Sequence, residues 1–331
     1  MKKTRTTTRS GRRYLITGGA GFIGSHLSEL LLNQGHRVRV IDNLSTGRLS
    51  NIRHLCNNPS FAFTRASITN AALLNRLAGQ SDIIIHLAAA VGVEKIIEDP
   101  VGTIETNVMG TELVLKAALR HKCRVLIAST SEVYGKGIKV PFNEKDDVLL
   151  GPTSKNRWGY AASKMVDEFL ALAYQHEYKL PVVIVRLFNT VGVRQTGQYG
   201  MVVPRFIARA LKGEPILVYG DGRQRRCFCD VRDVILAIAA LAITPAAIGK
   251  VVNIGSRSEI SIGDLARKIK SLTASRSPIV KIPYDKAYAP GFEDMRRRIP
   301  DTALIRKLIG WSPVITLDET LEAVRESLSG K

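Results

Sequence analysis

Thr17-Gly18-Gly19-Ala20-Gly21-Phe22-Ile23-Gly24 decides the fold. It follows a short apolar run at 14–17 and leads into 22–33, where apolar residues recur with helical period. Read as G-x-x-G-x-x-G, the stretch uses Gly18, Gly21 and Gly24. One glycine permits a tight turn, one lets backbone approach a pyrophosphate, and one lets helix and strand pack closely. The amino end of the helix then presents free N–H groups to phosphate. Residues 37–41 alternate and end at Asp42, 18 residues after Gly24. A carboxylate there accepts hydrogen bonds from an adenosine ribose and repels a 2′-phosphate, which favours NAD over NADP.

Outward from this motif the first half alternates strand and helix. Residues 82–87, 124–128 and 182–187 are continuous apolar runs, as in strands buried on both faces. Residues 100–121 and 158–178 read as long helices. Repeated β-α units predict an α/β fold with a doubly wound parallel Rossmann sheet. After about Asn189 short strands (216–219, 251–254, 279–282) mix with short helices (202–211, 231–241, 262–272, 317–327). A smaller mixed α/β carboxy-terminal substrate lobe is expected. The reading divides the chain into a basic tail (1–12), a dinucleotide-binding unit that carries the catalytic residues (13–189) and a substrate lobe (190–331). A strand and helix around 231–254 return to the first unit.

Composition bounds the function. With 331 residues and 45% in the hydrophobic set, a real core can be buried, and 23% charged residues exclude a disordered or fibrous chain. No apolar stretch of about 18 residues appears, so no membrane helix is expected. Four cysteines are too few for a disulfide scaffold, and no Cys/His spacing matches zinc, so no metal is expected. Lys plus Arg is 48 against 29 acids, a net charge of +19. Lys2, Lys3, Arg5, Arg9, Arg12 and Arg13 face no acid within the first thirteen residues, and the segment lacks the apolar core of a secretory signal. It reads as a solvated tail, and a cytoplasmic location is expected. The basic balance raises nucleic-acid binding as a rival. Only 6% aromatic residues and no basic helix or RNA-binding signature count against it.

Tyr160-Ala161-Ala162-Ser163-Lys164 places Tyr160 and Lys164 one helical turn apart on one face. A nearby ammonium lowers a phenol's pKa and makes tyrosinate available as a base. Ser129-Thr130-Ser131-Glu132 follows the strand at 124–128, and a hydroxyl there would hydrogen-bond a reacting sugar oxygen.

Together these residues resemble the extended short-chain dehydrogenase/reductases that act on nucleotide sugars. The resemblance runs from Thr17 to about Trp311. It includes residues 17–26, His86-Leu87-Ala88-Ala89, Thr106-Asn107-Val108-Met109-Gly110-Thr111, Tyr160 with Lys164, Arg186-Leu187-Phe188-Asn189 and Tyr219-Gly220-Asp221-Gly222. It implies NAD as cofactor, held by Gly18, Gly21, Phe22, Ile23, Gly24, Asp42, Asn43, Ser67, Leu87 and Ala88 together with Tyr160 and Lys164. It implies a catalytic set of Tyr160, Lys164, Thr130, Glu132 and Arg226. Substrate contacts are implied at Ser131, Asn189, Arg205, Tyr219, Arg226, Arg296 and Arg298, and Asn107 is assigned a supporting role. The substrate is a nucleotide sugar, UDP-linked by this reading, and the helices at 100–121 and 158–178 resemble those that form a homodimer. Two departures stand out: Ser67 replaces a frequent Asp, and Gly192-Val193-Arg194 replaces Gly-Pro-Arg.

Such enzymes begin by oxidising the sugar at C4, and the ketone is the branch point. A C5 carboxylate is then β to it and can leave as CO₂; reduction on the other face instead inverts C4. Ser131 removes the acid that a 4,6-dehydratase needs. Thr130 through Gly135, Arg157-Trp158 before the tyrosine, and Arg225-Arg226-Cys227-Phe228 resemble UDP-glucuronate decarboxylases. Val202-Val203-Pro204-Arg205-Phe206 resembles 4-epimerases. The leading expectation is UDP-glucuronate decarboxylation to UDP-xylose. NDP-sugar 4-epimerisation, including that of a uronate, is the alternative, and a non-catalytic NAD- or nucleic-acid-binding protein is a remote third.

Overall fold

The computed structural model describes residues 11–90, 99–197, 201–287 and 295–330. The basic tail read at 1–12 lies outside the described residues except for its last two.

Strands β1 (Arg13–Thr17), β2 (Arg37–Asp42), β3 (Phe61–Arg65), β4 (Ile83–His86), β5 (Arg124–Thr130) and β6 (Val182–Leu187) join strand Val251–Ile254 in one seven-stranded sheet. The order across it is Val251–Ile254, β6, β5, β4, β1, β2, β3, with every neighbouring pair parallel. Alternate side chains feed two cores. Tyr14, Ile16, Val38, Val40, Ile83 and Ile85 face helix α1 (Phe22–Asn33) and helix Val231–Ile243. Leu15, Ile41, Ile84 and Val125 face helices α2 (Ala71–Ala78), α3 (Pro100–His121) and α4 (Arg157–Tyr178). Burial on both faces explains why these strands read as unbroken apolar runs.

The chain runs outward from β1 in both directions, through β2 and β3 on one side and β4 to β6 on the other. The switch point therefore lies between β1 and β4, where a doubly wound sheet opens a crevice at its carboxyl edge. Thr17 pairs with His86 at that edge, so the glycine turn and Leu87-Ala88 leave the sheet side by side.

The sequence reading passed over β3 and α2. β3 is an edge strand whose side chains are mostly half-buried, so its apolar signal is weak. The start of α2 did carry a signal: Asn70 caps it by accepting from the Leu73 N–H at 3.1 Å.

Past residue 189, Arg225–Cys227 pairs with Glu259–Ser261 and Arg297–Arg298, and Ile216–Tyr219 pairs with Ile279–Ile282. A separate core of Val203, Phe206, Ile207, Leu265, Ile269 and Leu321 packs helices Val202–Leu211, Ile262–Leu272 and Leu317–Ser329. Among the described residues no helix is long and apolar enough to cross a membrane.

One buried ion pair fixes α4 against the sheet. Arg186 on β6 reaches Glu168 on α4 through Nε at 2.9 Å and Nη2 at 2.7 Å, and Ser129 on β5 donates to the same carboxylate. Both charged residues are buried. Removing one partner strands the other charge in a low-dielectric interior, so Glu168→Ala is expected to lower stability by about 3–5 kcal/mol. Urea unfolding checks this; a loss below about 1 kcal/mol, the surface-pair range, would contradict it.

Candidate active site

At the carboxyl edge of the sheet a cavity of about 650 Å³ runs from the glycine turn to the second lobe. Its floor is set by steric limits at the turn. Gly18 has φ +71°, and a Cβ on it would lie 2.8 Å from the Ala88 nitrogen. A Cβ on Gly24 would stand 2.4 Å from the Gly18 carbonyl oxygen. Larger residues at either position would push α1 or Leu87-Ala88 away. Gly21 caps α1 without a side-chain hydrogen bond and lines the cavity with Phe22 and Ile23, so the first-turn N–H groups are open to an anion. Asp42 holds the loop after β2, accepting from the Ala20 N–H at 3.0 Å and the Leu44 N–H at 2.8 Å. Burial pushes its pKa up against these donors. Asp42, Asn43 and Ser67 line one end of the cavity. These residues form a cradle that fits a dinucleotide: a close-approach turn, an open helix end and a carboxylate at the end of β2.

The other end holds the residues with acid-base chemistry. Thr130 caps the 3-10 turn Ser131–Tyr134, its hydroxyl accepting from the Glu132 N–H at 3.2 Å. Tyr160 and Lys164 face it from α4, and Leu87, Ala88, Ser131, Asn189, Arg205, Tyr219, Arg226 and Arg298 complete the lining. Every sequence-predicted site residue except Arg296 therefore borders one cavity. Arg296 is exposed, and its backbone carbonyl accepts from the Arg225 N–H. Arg296 lies just before the strand Arg297–Arg298; within that strand Arg297 pairs with Glu259, while Arg298 is buried and lines the cavity.

Arg298 does not stand as an isolated clamp. Its Nη1 lies 2.7 Å from Glu132 Oε1. Arg226, also buried, donates through Nη1 to the carbonyls of Arg225 and Met295, both at 2.8 Å. Arg205 stacks over the Tyr219 ring at 4.4 Å, and its Nε is buried without a hydrogen-bond partner among the described residues. Asn189 donates to the Cys227 carbonyl at 3.0 Å. Asn107 sits behind the site, accepting from the Ala90 N–H at 2.8 Å and donating to Ser163 on α4 at 3.0 Å.

The Tyr160–Lys164 pair differs from its expected electrostatics. Lys164 is buried, and its Nζ lies 2.7 Å from Asp167 Oδ2, one turn further along α4. Its charge is offset locally. Tyr160 consequently keeps its proton: burial raises its pKa, the Glu132 and Asp167 charges raise it further, and a hydrogen bond with Thr130 only partly opposes them. Behind Lys164, His86 is fully buried between Thr17 Oγ1 at 2.7 Å and Thr111 Oγ1 at 3.1 Å. Burial and the Lys164 charge push its pKa down to about 3, so it stays neutral. Sequence reasoning missed Asp167. Its signal was an acid three residues after Lys164, a spacing that puts both on one helix face.

Comparisons with known proteins agree with this geometry. Residues 15–324 match the family described as GDP-mannose 4,6 dehydratase. A UDP-N-acetyl-alpha-D-glucosaminuronate decarboxylase from Bacillus cytotoxicus is 45% identical over 320 residues, covering 95% of this chain and 98% of that protein. UDP-glucuronic acid decarboxylase 1 from Danio rerio is 38% identical over 310 residues, covering 94% of this chain and 71% of its own length. The solved structure of Thermus thermophilus UDP-glucose 4-epimerase in complex with NAD superposes with a TM-score of 0.83 at 27% identity, covering 96% of this chain and 99% of that one.

The electrostatics of Tyr160 can be read directly. The phenolate band that disappears in Tyr160→Phe is expected to titrate above 10, the ordinary tyrosine value. Ultraviolet difference titration of the two proteins measures it, and a midpoint below that value would contradict the Asp167–Lys164 account.

Proposed function

The chain belongs to the GDP-mannose 4,6-dehydratase family of extended short-chain dehydrogenase/reductases, and on that premise we propose that it decarboxylates a UDP-linked hexuronic acid with NAD as cofactor. The observation that carries this reading is the Glu132–Arg298 pair beside Tyr160 and Thr130, with Arg226 on the same wall. A carboxylate substrate needs guanidinium groups to hold it, and Arg presents two parallel donors to such a group. NAD, when bound, supplies a hydride acceptor that is restored within the cycle.

The residues divide the work as follows. The Gly18–Gly24 turn and Asp42 hold the dinucleotide, and Arg205 with Tyr219 serves the nucleotide end of the substrate. Thr130 donates a hydrogen bond to the C4 oxygen, and Tyr160, having given up its own proton to solvent once cofactor and substrate change the charge around it, takes the C4 hydroxyl proton. Lys164, one turn away, offsets the phenolate charge, which requires its ammonium to be shared between Asp167 and the reacting end of the cavity. With C4 a ketone, the C5–C6 bond breaks and its electron pair moves onto the C4 oxygen, where Thr130 and the reprotonated Tyr160 stabilise it. CO₂ leaves, Glu132 directs a proton to C5, and when C4 is reduced again Tyr160 gives its proton to the C4 oxygen, leaving a UDP-pentose. An incoming carboxylate competes with Glu132 for Arg298, so Arg298 couples substrate binding to release of the Glu132 side chain.

The relative at 45% identity favours a 2-acetamido uronate as the substrate over plain glucuronate. The 4-epimerase reading is supported by the Val202–Phe206 segment and, less strongly, by the likeness to solved 4-epimerase structures, and it predicts a product of unchanged mass. A homodimer is proposed on a separate observation. Val101, Ile104 and Met109 on α3 and Val166 and Phe169 on α4 are exposed apolar residues on two helices that pack together, a face suited to a second copy.

Incubation with UDP-glucuronate or UDP-N-acetylglucosaminuronate and NAD is expected to release CO₂ and a UDP-pentose, resolved by mass. A product of the starting mass with inverted C4 would replace decarboxylation by epimerisation. Tyr160→Phe is expected to lower kcat about 10²–10⁴-fold. Phe169→Glu is expected to convert a dimer to a monomer in sedimentation; an unchanged sedimentation coefficient would remove this interface.

A further inference from the structure

The loop from Thr190 to Thr196, which the catalytic account does not use, is built as a strained and tethered segment. Gly192 has φ +158°, and a Cβ there would lie 2.6 Å from Val231 Cγ1. Arg194 has φ +69°, a left-handed conformation that is unfavourable for a non-glycine residue. Strain of this kind persists only where surrounding contacts enforce it. The start of the loop is held by pairing of Thr190–Val191 with Cys229–Asp230, and the turn at Val193 and Arg194 is held from α1. His26 on α1 donates through Nε2 to the Val193 carbonyl at 2.9 Å. Arg194 donates through Nη2 to Glu29 on α1 at 2.7 Å, and its Nη1 makes a long contact of 3.5 Å with Ser25. On its other side the loop, through Arg194 and Gln195, lines the same cavity as the Gly21–Gly24 turn. α1 thus anchors both walls of the dinucleotide end: its amino terminus forms one, and its polar face fastens the other.

The reaction proposed above makes this arrangement meaningful. It is redox-neutral: the hydride taken from C4 must return to the same sugar, and escape of the reduced carrier at the ketone stage would strand the intermediate. Resting on that reading, we propose that the 190–196 loop is a retaining clasp for the dinucleotide, and that the Arg194–Glu29 pair is the fastening that sets how slowly the cofactor leaves. Arg194 also places a cation on a cavity wall that faces the open amino end of α1, in reach of the chemistry that recognises a pyrophosphate.

The test measures release, not turnover. The full-length protein is loaded with radiolabelled NAD, chased with unlabelled NAD, and the bound label followed with time. Glu29→Gln keeps the shape of the side chain but removes the charged fastening; Arg194→Ala removes the clasp's cation. Both are expected to release label about tenfold faster or more than the wild type. Arg13→Ala, at the opposite edge of the sheet where Arg13 pairs with Asp82, serves as the control and should match the wild type. Release from Glu29→Gln within about twofold of the wild-type rate overturns the clasp, even if Arg194→Ala fails to fold. Failure of the wild type to take up label at all is a different result: it removes the NAD reading itself and the clasp with it.

Discussion

The approach of α1 to the turn after β1 is the constraint on which the site depends. Gly24 brings the helix against the Gly18 carbonyl, and Gly18 brings the turn against Ala88 at the end of β4. Three chain segments meet there with no room for a Cβ on either glycine. Because β1 and β4 flank the point where the strand order reverses, this crowding also places the open helix end at the mouth of the crevice. The seven-stranded sheet supplies rigidity, and the glycine contacts turn that rigidity into a fixed distance between helix terminus and catalytic helix.

The catalytic end is governed by paired charges. Lys164 is paired with Asp167, and Glu132 with Arg298. Arg186 with Glu168 holds the helix that carries Tyr160 and Lys164. Buried pairs of this kind add little net stability but define geometry, since a displaced partner leaves an unsatisfied charge. Tyr160 is surrounded by two negative groups and one locally offset positive one, so its proton is held tightly until the charge around it changes. On the proposed reaction, such an arrangement keeps the base inactive in the absence of the reacting groups.

Much of this was legible in the sequence, for identifiable reasons. Strands buried on both faces write themselves as apolar runs, and α1 was delimited from residue 22 to 33 because its start is a glycine turn and its apolar residues repeat. Tyr160 and Lys164 could be paired because one helical turn is a fixed spacing. What stayed hidden depended on tertiary contact. Arg296 and Arg298 were both candidates, and which of them is buried depended on where the short strand Arg297–Arg298 begins, which a run of three arginines does not reveal. The role of Asp167 required knowing that the shared helix face is buried. Arg194 looked like an ordinary loop residue until the loop was seen folded back on α1. The edge strand β3 was missed because half-exposed strands dilute the alternation that identifies them.

The strand Val251–Ile254 closes the sheet beside β6, with Val251 opposite Ile184 and Ile254 opposite Leu187. Between these two strands the chain leaves the sheet, builds part of the second lobe and comes back through helix Val231–Ile243, which packs on α1. During synthesis from the amino end, β6 therefore emerges with one unpaired edge and stays so until about sixty more residues have left the ribosome, several seconds at ordinary elongation rates. An apolar Val-Val-Ile-Val edge is a template for pairing with another nascent chain. The protein's vulnerable period in the cell thus falls late in translation, and it ends only when a segment belonging by position to the distal half completes the proximal one.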